Sequence, residues 1–219
     1  MKQYFQENPD VMTRERQIST NINGKPLFFF TNNGLFSCDK VDEASLILVE
    51  NIPPLAGSLL DLGCGYGFIG IALAVKNAAK DDGAFISENA LTAVTFSDVN
   101  ALALDYAKKN ARKNGIAGEA LHCDFLHSDG FASISQKFDT IVLNPPIHAG
   151  KAVMYRLYEG AAAHLNPNGS FFVVIQKKHG AETTMEKLQD IFGNCVVIYK
   201  KKGCYVLQCS LENNLASNF

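Results

Sequence analysis

The chain has 219 residues, of which 47% are apolar and 19% charged, and its formal net charge is −2. This composition excludes a disordered or repetitive protein and allows one sizeable core. Apolar runs such as Leu27–Phe30 are too short to span a membrane, and the opening MKQYFQENPD lacks the apolar core of a signal peptide. We therefore expect no membrane association. Contact with nucleic acid would need a local basic patch, because the overall charge is slightly negative.

The cysteines are scattered and form no C-x-x-C pair, which argues against a zinc site and against a disulfide framework. A reducing cytoplasm is then the expected compartment. The six cysteines are Cys38, Cys64, Cys123, Cys195, Cys204 and Cys209.

The first 52 residues are predicted to form an N-terminal extension that packs on a domain made by residues 53–219. Residues 17–31 predict a β-hairpin, since Asn23-Gly24 suits a tight turn with positive φ at both positions. A helix follows in VDEASLILVENIPP, with Asp42 as its N-cap and Pro53-Pro54 as its end.

The domain shows a regular alternation of short apolar runs and helical segments, which predicts a parallel sheet covered on both faces. The predicted fold is α/β, a seven-stranded, mostly parallel, doubly wound sheet of Rossmann-like type. Its last two strands form an antiparallel hairpin in NCVVIYKKKGCYVLQCSL. The predicted parallel strands are 58–62, 91–97, 119–123, 138–143 and 170–176, and the predicted helices are 68–79, 100–114, 152–164 and 181–192.

The stretch DLGCGYGFIG (61–70) follows the first of these strands and contains the G-x-G-x-x-G spelling of a nicotinamide-binding turn. Asp61, two residues before Gly63, would repel a pyrophosphate placed over the helix N-terminus. S-adenosylmethionine has an ammonium and a sulfonium instead, which a carboxylate attracts. We therefore expect Asp61, Gly63 and Gly65 to hold S-adenosylmethionine. The alternative is a tight strand-to-helix turn that has the same sequence pattern and binds no ligand.

Two further strand ends predict contacts to a nucleoside. Asp98 ends the second strand, where a carboxylate accepts both ribose hydroxyls. Asp124 and Phe125 follow the predicted third strand and would meet the adenine amino group and ring, or else cap the strand as turn residues. His122, Cys123, Asp124 and His127 do not predict a metal site, because neighbouring strand residues point to opposite faces.

The second informative stretch is LNPPIHAGK (143–151), which follows the fourth strand. The prolines stiffen the turn and have no N–H to donate. The Asn144 side-chain oxygen and the Pro145 carbonyl could therefore act as fixed acceptors for a planar amine with two hydrogens. A stiff strand-ending turn is the alternative interpretation.

Together, DLGCGYG and NPPIHAGK resemble class I S-adenosylmethionine-dependent methyltransferases with an N-P-P motif, most closely the small-ribosomal-subunit rRNA guanine-N2 methyltransferases. The segments GLFSCDKVDEAS, FFVVIQKKHG and YKKKGCYVL resemble that family too, and the resemblance extends from about position 4 to 210. It implies methyl transfer to an exocyclic guanine amine, with Asn144 and Pro145 as catalytic residues and Asn144 also next to the cofactor. The implied partner is ribosomal RNA or the ribosomal subunit, with no metal required.

The chain departs from the family pattern in two respects. Some members carry a degenerate second half ahead of the catalytic one, and no internal repeat is found here. Ile147 stands where many amino-methylating relatives have an aromatic residue, so Phe36 could stack on the base instead. We assign Phe36, Pro146, Ile147, His148 and Lys151 to substrate binding, with a plain surface role as the alternative for His148. Basic residues at the ends of the last strands, Lys177, Lys178 and Lys200–Lys202, could contact RNA, whereas Lys108, Lys109, Arg112 and Lys113 are typical of a solvated helix face.

Other functions remain open at this point. The same cofactor could serve a protein glutamine or a small-molecule amine, the G-x-G-x-x-G spelling could belong to a nicotinamide oxidoreductase, and the fold could be a non-catalytic scaffold. The sequence does not decide the oligomeric state.

Overall fold

The computed structural model describes residues 14–77, 90–116 and 121–211. Within these ranges the chain forms a two-stranded sheet, a seven-stranded sheet and five α-helices. The strands are β1 (Glu15–Ile22), β2 (Lys25–Asn32), β3 (Gly57–Leu62), β4 (Leu91–Asp98), β5 (His122–His127), β6 (Phe138–Leu143), β7 (Leu165–Gln176), β8 (Val196–Lys201) and β9 (Cys204–Ser210). The helices are α1 (Glu43–Asn51), α2 (Phe68–Asn77), α3 (Ala101–Lys113), α4 (Lys151–Ala163) and α5 (Ala181–Phe192).

The large sheet has the strand order β5-β4-β3-β6-β7-β9-β8. Strands β3 to β7 pair in parallel, and β9 is antiparallel to both β7 and β8. This arrangement confirms the predicted doubly wound sheet with a C-terminal antiparallel hairpin. The strand order reverses between β3 and β6, and ligands of such sheets bind at the carboxyl ends of the strands on either side of that point.

Capping residues place the helix ends close to their predicted positions. The Asn100 side chain accepts the N–H of Leu102 at 3.0 Å and so begins α3, and Gly193 ends α5 with a left-handed backbone. Helix α2 matches the predicted segment 68–79 up to Asn77, and the last two predicted residues lie outside the described ranges.

The third parallel strand is displaced from its prediction. It was predicted at 119–123, but β5 is His122–His127 and pairs with β4 up to Asp98 opposite His127. β5 is the edge strand of the sheet, and its residues are half-buried or exposed. An apolar pattern marks the end of such a strand poorly, because pairing with the neighbour rather than burial sets its length.

The N-terminal hairpin forms as predicted, with φ of 51° at Asn23 and 82° at Gly24. Strand β2 then docks on α3 through two asparagines one helical turn apart. Asn110 accepts the N–H of Phe30 at 2.7 Å and donates to its carbonyl at 2.9 Å, and Asn114 does the same for Phe28 at 3.0 and 2.8 Å. The asparagine side chains thus replace a neighbouring strand along the open edge of β2.

The hairpin also contributes to the main core. Phe29 is buried against the rings of Tyr66 and Phe68, with centroid distances of 5.8 and 5.4 Å. Helix α1 begins at the predicted cap Asp42, and Ile52 is extended before Pro53, as the residue before a proline prefers. The described part of the extension therefore shares one core with the domain, and the boundary at residues 52/53 stays a prediction.

The two docking asparagines are expected to differ in their effect on stability. Asn110 is 0% exposed and also donates to the Tyr66 carbonyl at 2.9 Å. Asn110→Ala therefore leaves three polar groups in or near the core without a partner: the Phe30 N–H, the Phe30 carbonyl and the Tyr66 carbonyl. We expect a loss of about 2–3 kcal/mol in the free energy of unfolding, because unsatisfied buried groups are costly. The half-buried Asn114→Ala should lose less than about 1 kcal/mol, since water can replace its bonds. Urea denaturation of both variants measures this; equal losses would contradict the proposed anchoring by Asn110.

Candidate active site

A crevice of about 450 Å³ opens at the carboxyl edge of the parallel strands. That volume lies within the usual range for small-molecule sites. Its walls come from the loops after β3, β4, β5, β6 and β7 and from the segment that leads into α1. The predicted site residues that line it are Phe36, Gly63, Gly65, Asp98, Asn144, Pro145, Pro146, Ile147 and His148.

The glycine loop forms the floor of this crevice. The N–H groups of Gly63 and Cys64 donate to the Ser97 carbonyl at 2.8 and 2.9 Å, which ties the loop to the end of β4. Gly63 and Gly65 have φ of 69° and 55°, a backbone region that glycine adopts without strain. A Cβ added at either glycine would meet no atom within 4 Å, so a side chain there would enter the open space of the crevice.

Asp98 stands beside this loop with both carboxylate oxygens oriented. Oδ2 accepts the N–H of Gly65 at 2.8 Å and Oδ1 accepts the N–H of Asn100 at 2.9 Å. Burial raises the pKa of Asp98, and the two N–H groups offset part of that rise. Each oxygen keeps a lone pair for a further donor, so the carboxylate can accept the two hydroxyls of a ribose.

Asp61 is not part of the crevice wall, which corrects its predicted contact with a cofactor. It is fully buried behind the glycine loop, and its Oδ2 accepts the N–H of Gly70 at 2.8 Å. Its Oδ1 has no partner among the described residues. Burial, with a smaller contribution from the Asp98 charge, raises the pKa of Asp61 to about 7. The residue therefore supports the first turn of α2 from behind.

Other carboxylates supply the negative charge that the crevice presents. Asp42, Asp98 and Asp129 line it, and Arg156 forms a two-pronged ion pair with Asp129 at 3.1 and 2.6 Å. The Arg156 guanidinium lowers the pKa of Asp129. The Asp129–Arg156 pair is neutral overall, so the negative charge that favours a cationic ligand over a pyrophosphate comes from Asp42 and Asp98. These acceptors fit S-adenosylmethionine, whose ribose hydroxyls would donate to Asp98 and whose positive charges would lie near these carboxylates.

Asn144 is held by the N-terminus of α1. Its amide nitrogen donates to Asp42 Oδ2 at 3.0 Å and to Ser45 Oγ at 2.8 Å. The Ser45 hydroxyl in turn donates to the same Asp42 oxygen at 3.1 Å, so it can only accept from Asn144. Both amide hydrogens are thereby used, and the side-chain oxygen is the atom left for a ligand in the crevice.

The residues after Asn144 form a short 3₁₀ turn, Ile147–Ala149, which was not predicted. The Pro146 carbonyl accepts the N–H of Ala149 at 2.9 Å and closes this turn. Ile147 is half-buried against the core, whereas His148 is exposed at the crevice mouth. Lys151 is the exposed first residue of α4 and does not line the crevice.

Asp124 and Phe125 lie inside β5, so their predicted place after the strand is wrong. Asp124 accepts from His122 Nε2 at 3.0 Å and borders a separate small surface pocket with Lys108 and Arg112. Phe125 stacks on Phe96 with a centroid distance of 5.0 Å. The residues that follow β5 in the crevice wall are Ser128, Asp129 and Gly130.

Several crevice residues were not predicted for the site. Asp42 was recognised only as a helix cap, and nothing in the sequence links Asp42 or Ser45 to Asn144 about a hundred positions later. Asp129 and Arg156 could have been found only with the correct end of β5. His179 also lines the crevice, and burial together with Lys178 and His148 lowers its pKa.

The described ranges hold neither a metal cluster nor a membrane-spanning helix. They contain no group of three or more His, Cys, Asp or Glu side chains arranged to hold a metal ion, and the predicted absence of a metal stays a prediction. No helix in these ranges has the length and apolar character needed to cross a bilayer.

Fold and crevice together define a methyltransferase dependent on S-adenosylmethionine. The model of the "methyltransferase small domain" family matches residues 26–208, so the chain belongs to that family.

Individual relatives agree with this membership. An uncharacterized Bacillus subtilis protein, YbxB, is 35% identical over 94% of this chain and 96% of its own length. The ribosomal RNA small subunit methyltransferase C of Aeromonas hydrophila is 37% identical over 145 residues, 64% of this chain but only 37% of that protein. The structure of a T. thermophilus 16S rRNA N2 guanine methyltransferase (RsmC) with AdoMet and guanosine superposes with a TM-score of 0.74 at 28% identity. The superposition covers 92% of this chain and 52% of the T. thermophilus chain. This chain therefore spans about half or less of the length of the named rRNA methyltransferases.

The buried Asp61 predicts a specific dependence of stability on pH. Its pKa in the folded protein is about 7, above its ordinary value of 3.8, so the folded state holds a proton that the unfolded state has lost. Stability should therefore fall as the pH rises from about 4 to about 7, by up to about 4 kcal/mol from this residue.

Asp61→Asn removes the titration but keeps the shape and the acceptor for Gly70. We expect urea denaturation to show a flatter pH dependence for the variant between pH 4 and 7 than for the wild type. Parallel pH profiles for the two proteins would refute the proposed protonation of Asp61.

Proposed function

We propose that this chain transfers a methyl group from S-adenosylmethionine to the exocyclic N2 amine of a guanine in ribosomal RNA. The orientation of Asn144, whose nitrogen is bound to Asp42 and Ser45 and whose oxygen is left for the crevice, carries the proposal. The names of the relatives support the same acceptor. A ribosomal RNA substrate also fits the expected cytoplasmic location.

The two acceptors would orient the amine. The Asn144 oxygen and the Pro145 carbonyl each accept one of its hydrogens, which turns the nitrogen lone pair out of the base plane. S-adenosylmethionine, when bound, supplies a methyl carbon made electrophilic by the sulfonium. Holding nucleophile and methyl in line is the main source of acceleration, since well-oriented reactants reach effective molarities of ~10⁵–10⁸ M.

The reaction needs little acid–base catalysis. The N–C bond forms as the C–S bond breaks, the sulfur keeps the electron pair, and the nitrogen becomes positive until it loses a proton to water. The Asn144 oxygen stabilises that charge as it develops, because it is fixed before the reaction begins. A flexible side chain would have to reorganise to give the same interaction.

The target base must leave its stack to enter the crevice beside Asn144. Pro146, Ile147 and His148 would surround it on the N-P-P side. Phe36 is 47% exposed at the crevice and offers a ring for stacking, in place of the aromatic residue that Ile147 replaces. Lys151 would act from outside the crevice, on RNA rather than on the base itself.

Asn144→Ala should lower kcat for ribosomal RNA by about 10²–10³-fold, the usual cost of removing a fixed transition-state partner. Ser45→Ala keeps the amide but frees one of its hydrogens, and we expect a smaller loss of about tenfold. Asn166→Ala is the matched control: its amide nitrogen bonds Asp139 at 2.8 Å away from the crevice, and it should leave kcat unchanged. Steady-state kinetics of the three variants decide the matter, and normal turnover of Asn144→Ala would remove the proposed role.

The acceptor itself is tested by incubating the protein with radiolabelled S-adenosylmethionine and fractionated cellular RNA, followed by nucleoside analysis. We expect label in N2-methylguanosine from small-subunit rRNA. A parallel incubation with the protein and small-molecule fractions of the same cells tests the alternatives: label there, with none in the RNA, would favour a protein glutamine or a small-molecule amine.

A further inference from the structure

Five exposed lysines lie on two segments that meet where β7 ends and β8 turns into β9, with Lys200 and Lys201 on opposite faces of β8. We call them the lysine surface: Lys177, Lys178, Lys200, Lys201 and Lys202. The N–H of Lys177 donates to the Gly203 carbonyl at 2.7 Å, which fixes the two segments side by side. The concentration of charge stands out in a chain whose net charge is −2.

Within the described ranges, no carboxylate forms an ion pair with any of these lysines. Two other lysines do have such partners: Lys109 pairs with Glu15 at 2.7 Å and Lys187 with Glu159 at 2.7 Å. Lys200 lies over the Tyr205 ring at 4.8 Å, an interaction that orients the ammonium without cancelling its charge. The lysine surface is therefore open to an anionic partner.

The turn between β8 and β9 carries a lysine at a position that disfavours it. Lys202 and Gly203 have φ of 50° and 76°, nearly the same as Asn23 and Gly24 in the N-terminal hairpin at 51° and 82°. Asparagine is a preferred residue at the first of these positions, and a lysine there is strained. The same chain thus uses the favourable residue in one hairpin and the unfavourable residue in the other, where its charge joins four more.

The lysine surface adjoins the crevice directly. Gln176 and His179 line the crevice, and Lys177 and Lys178 lie between them in the chain on the exposed side. A strand whose base enters the crevice would carry its neighbouring phosphates past these ammonium groups.

We propose that the lysine surface binds the phosphates of the RNA strand that flanks the target base. The proposal rests on the function proposed above, and it adds the path by which RNA reaches the site. Affinity from such interactions is electrostatic and independent of sequence, and it falls with salt because counterions are released.

The test measures RNA binding directly, as the dissociation constant of a fluorescent single-stranded RNA over a range of salt concentrations. K177Q/K178Q should weaken binding about tenfold at low salt and lower the slope of log affinity against log salt by about 1.4, at about 0.7 for each phosphate that is no longer neutralised. K108Q/R112Q, with two charges removed from the solvated face of α3, is the matched control and should change neither quantity. Equal effects of the two double variants would overturn the proposal.

K202N separates charge from structure. Asparagine should keep or raise the melting temperature because it suits the turn, while RNA affinity falls about threefold because one ammonium group is removed. Unchanged affinity in K202N and in K177Q/K178Q would reject the lysine surface. Methylation of free guanosine, which has no phosphate, should be normal in all variants. A wild type that binds RNA through these lysines but transfers no methyl group would refute the proposed function, and of this inference only the binding of RNA phosphates by the lysine surface would stand.

Discussion

One carboxylate oxygen organises the site. Asp42 Oδ2 accepts from the Ser45 N–H at 2.8 Å, from the Ser45 hydroxyl at 3.1 Å and from the Asn144 amide at 3.0 Å. The first bond starts α1, and the other two fix the orientation of Asn144 in the crevice wall. The same oxygen therefore both caps the helix and holds Asn144 in place. The N-terminal extension therefore contributes to the site, because its residues Asp42 and Ser45 set the orientation of the Asn144 amide.

The distribution of acids explains how the crevice selects its ligand. Asp61 was expected to act by direct charge, but it lies behind the loop with a pKa of about 7 and holds Gly70 in place. The electrostatic preference comes instead from carboxylates that reach the surface of the crevice, among them Asp98, whose two oxygens are oriented by backbone N–H groups. The exclusion of a pyrophosphate stays a prediction, and the carboxylates at the crevice surface, rather than Asp61, would be its cause.

Local signals predicted the elements, and long-range contacts decided the site. Caps and turn residues such as Asn23, Asn100 and Gly193 act within a few positions, so the sequence shows their effect directly. The end of β5 depends on its pairing with β4, and a displacement of a few residues was enough to assign Asp124 to a role that its strand position excludes. The bond from Asn144 to Ser45 joins residues 99 positions apart, and no sequence pattern predicts such a contact.

The importance of the Asp42–Ser45 pair follows from the chemistry of an amide. A primary amide presents an oxygen on one side and an NH₂ group on the other, and the two sides have nearly the same shape. Packing alone would therefore tolerate either orientation, and the wrong one would aim donors at a substrate amine. A carboxylate can only accept, and a hydroxyl that already donates to that carboxylate can only accept from its other neighbour. With both on one side of Asn144, the nitrogen must face them, and the oxygen is fixed toward the crevice, where the proposed substrate amine would meet an acceptor already in place.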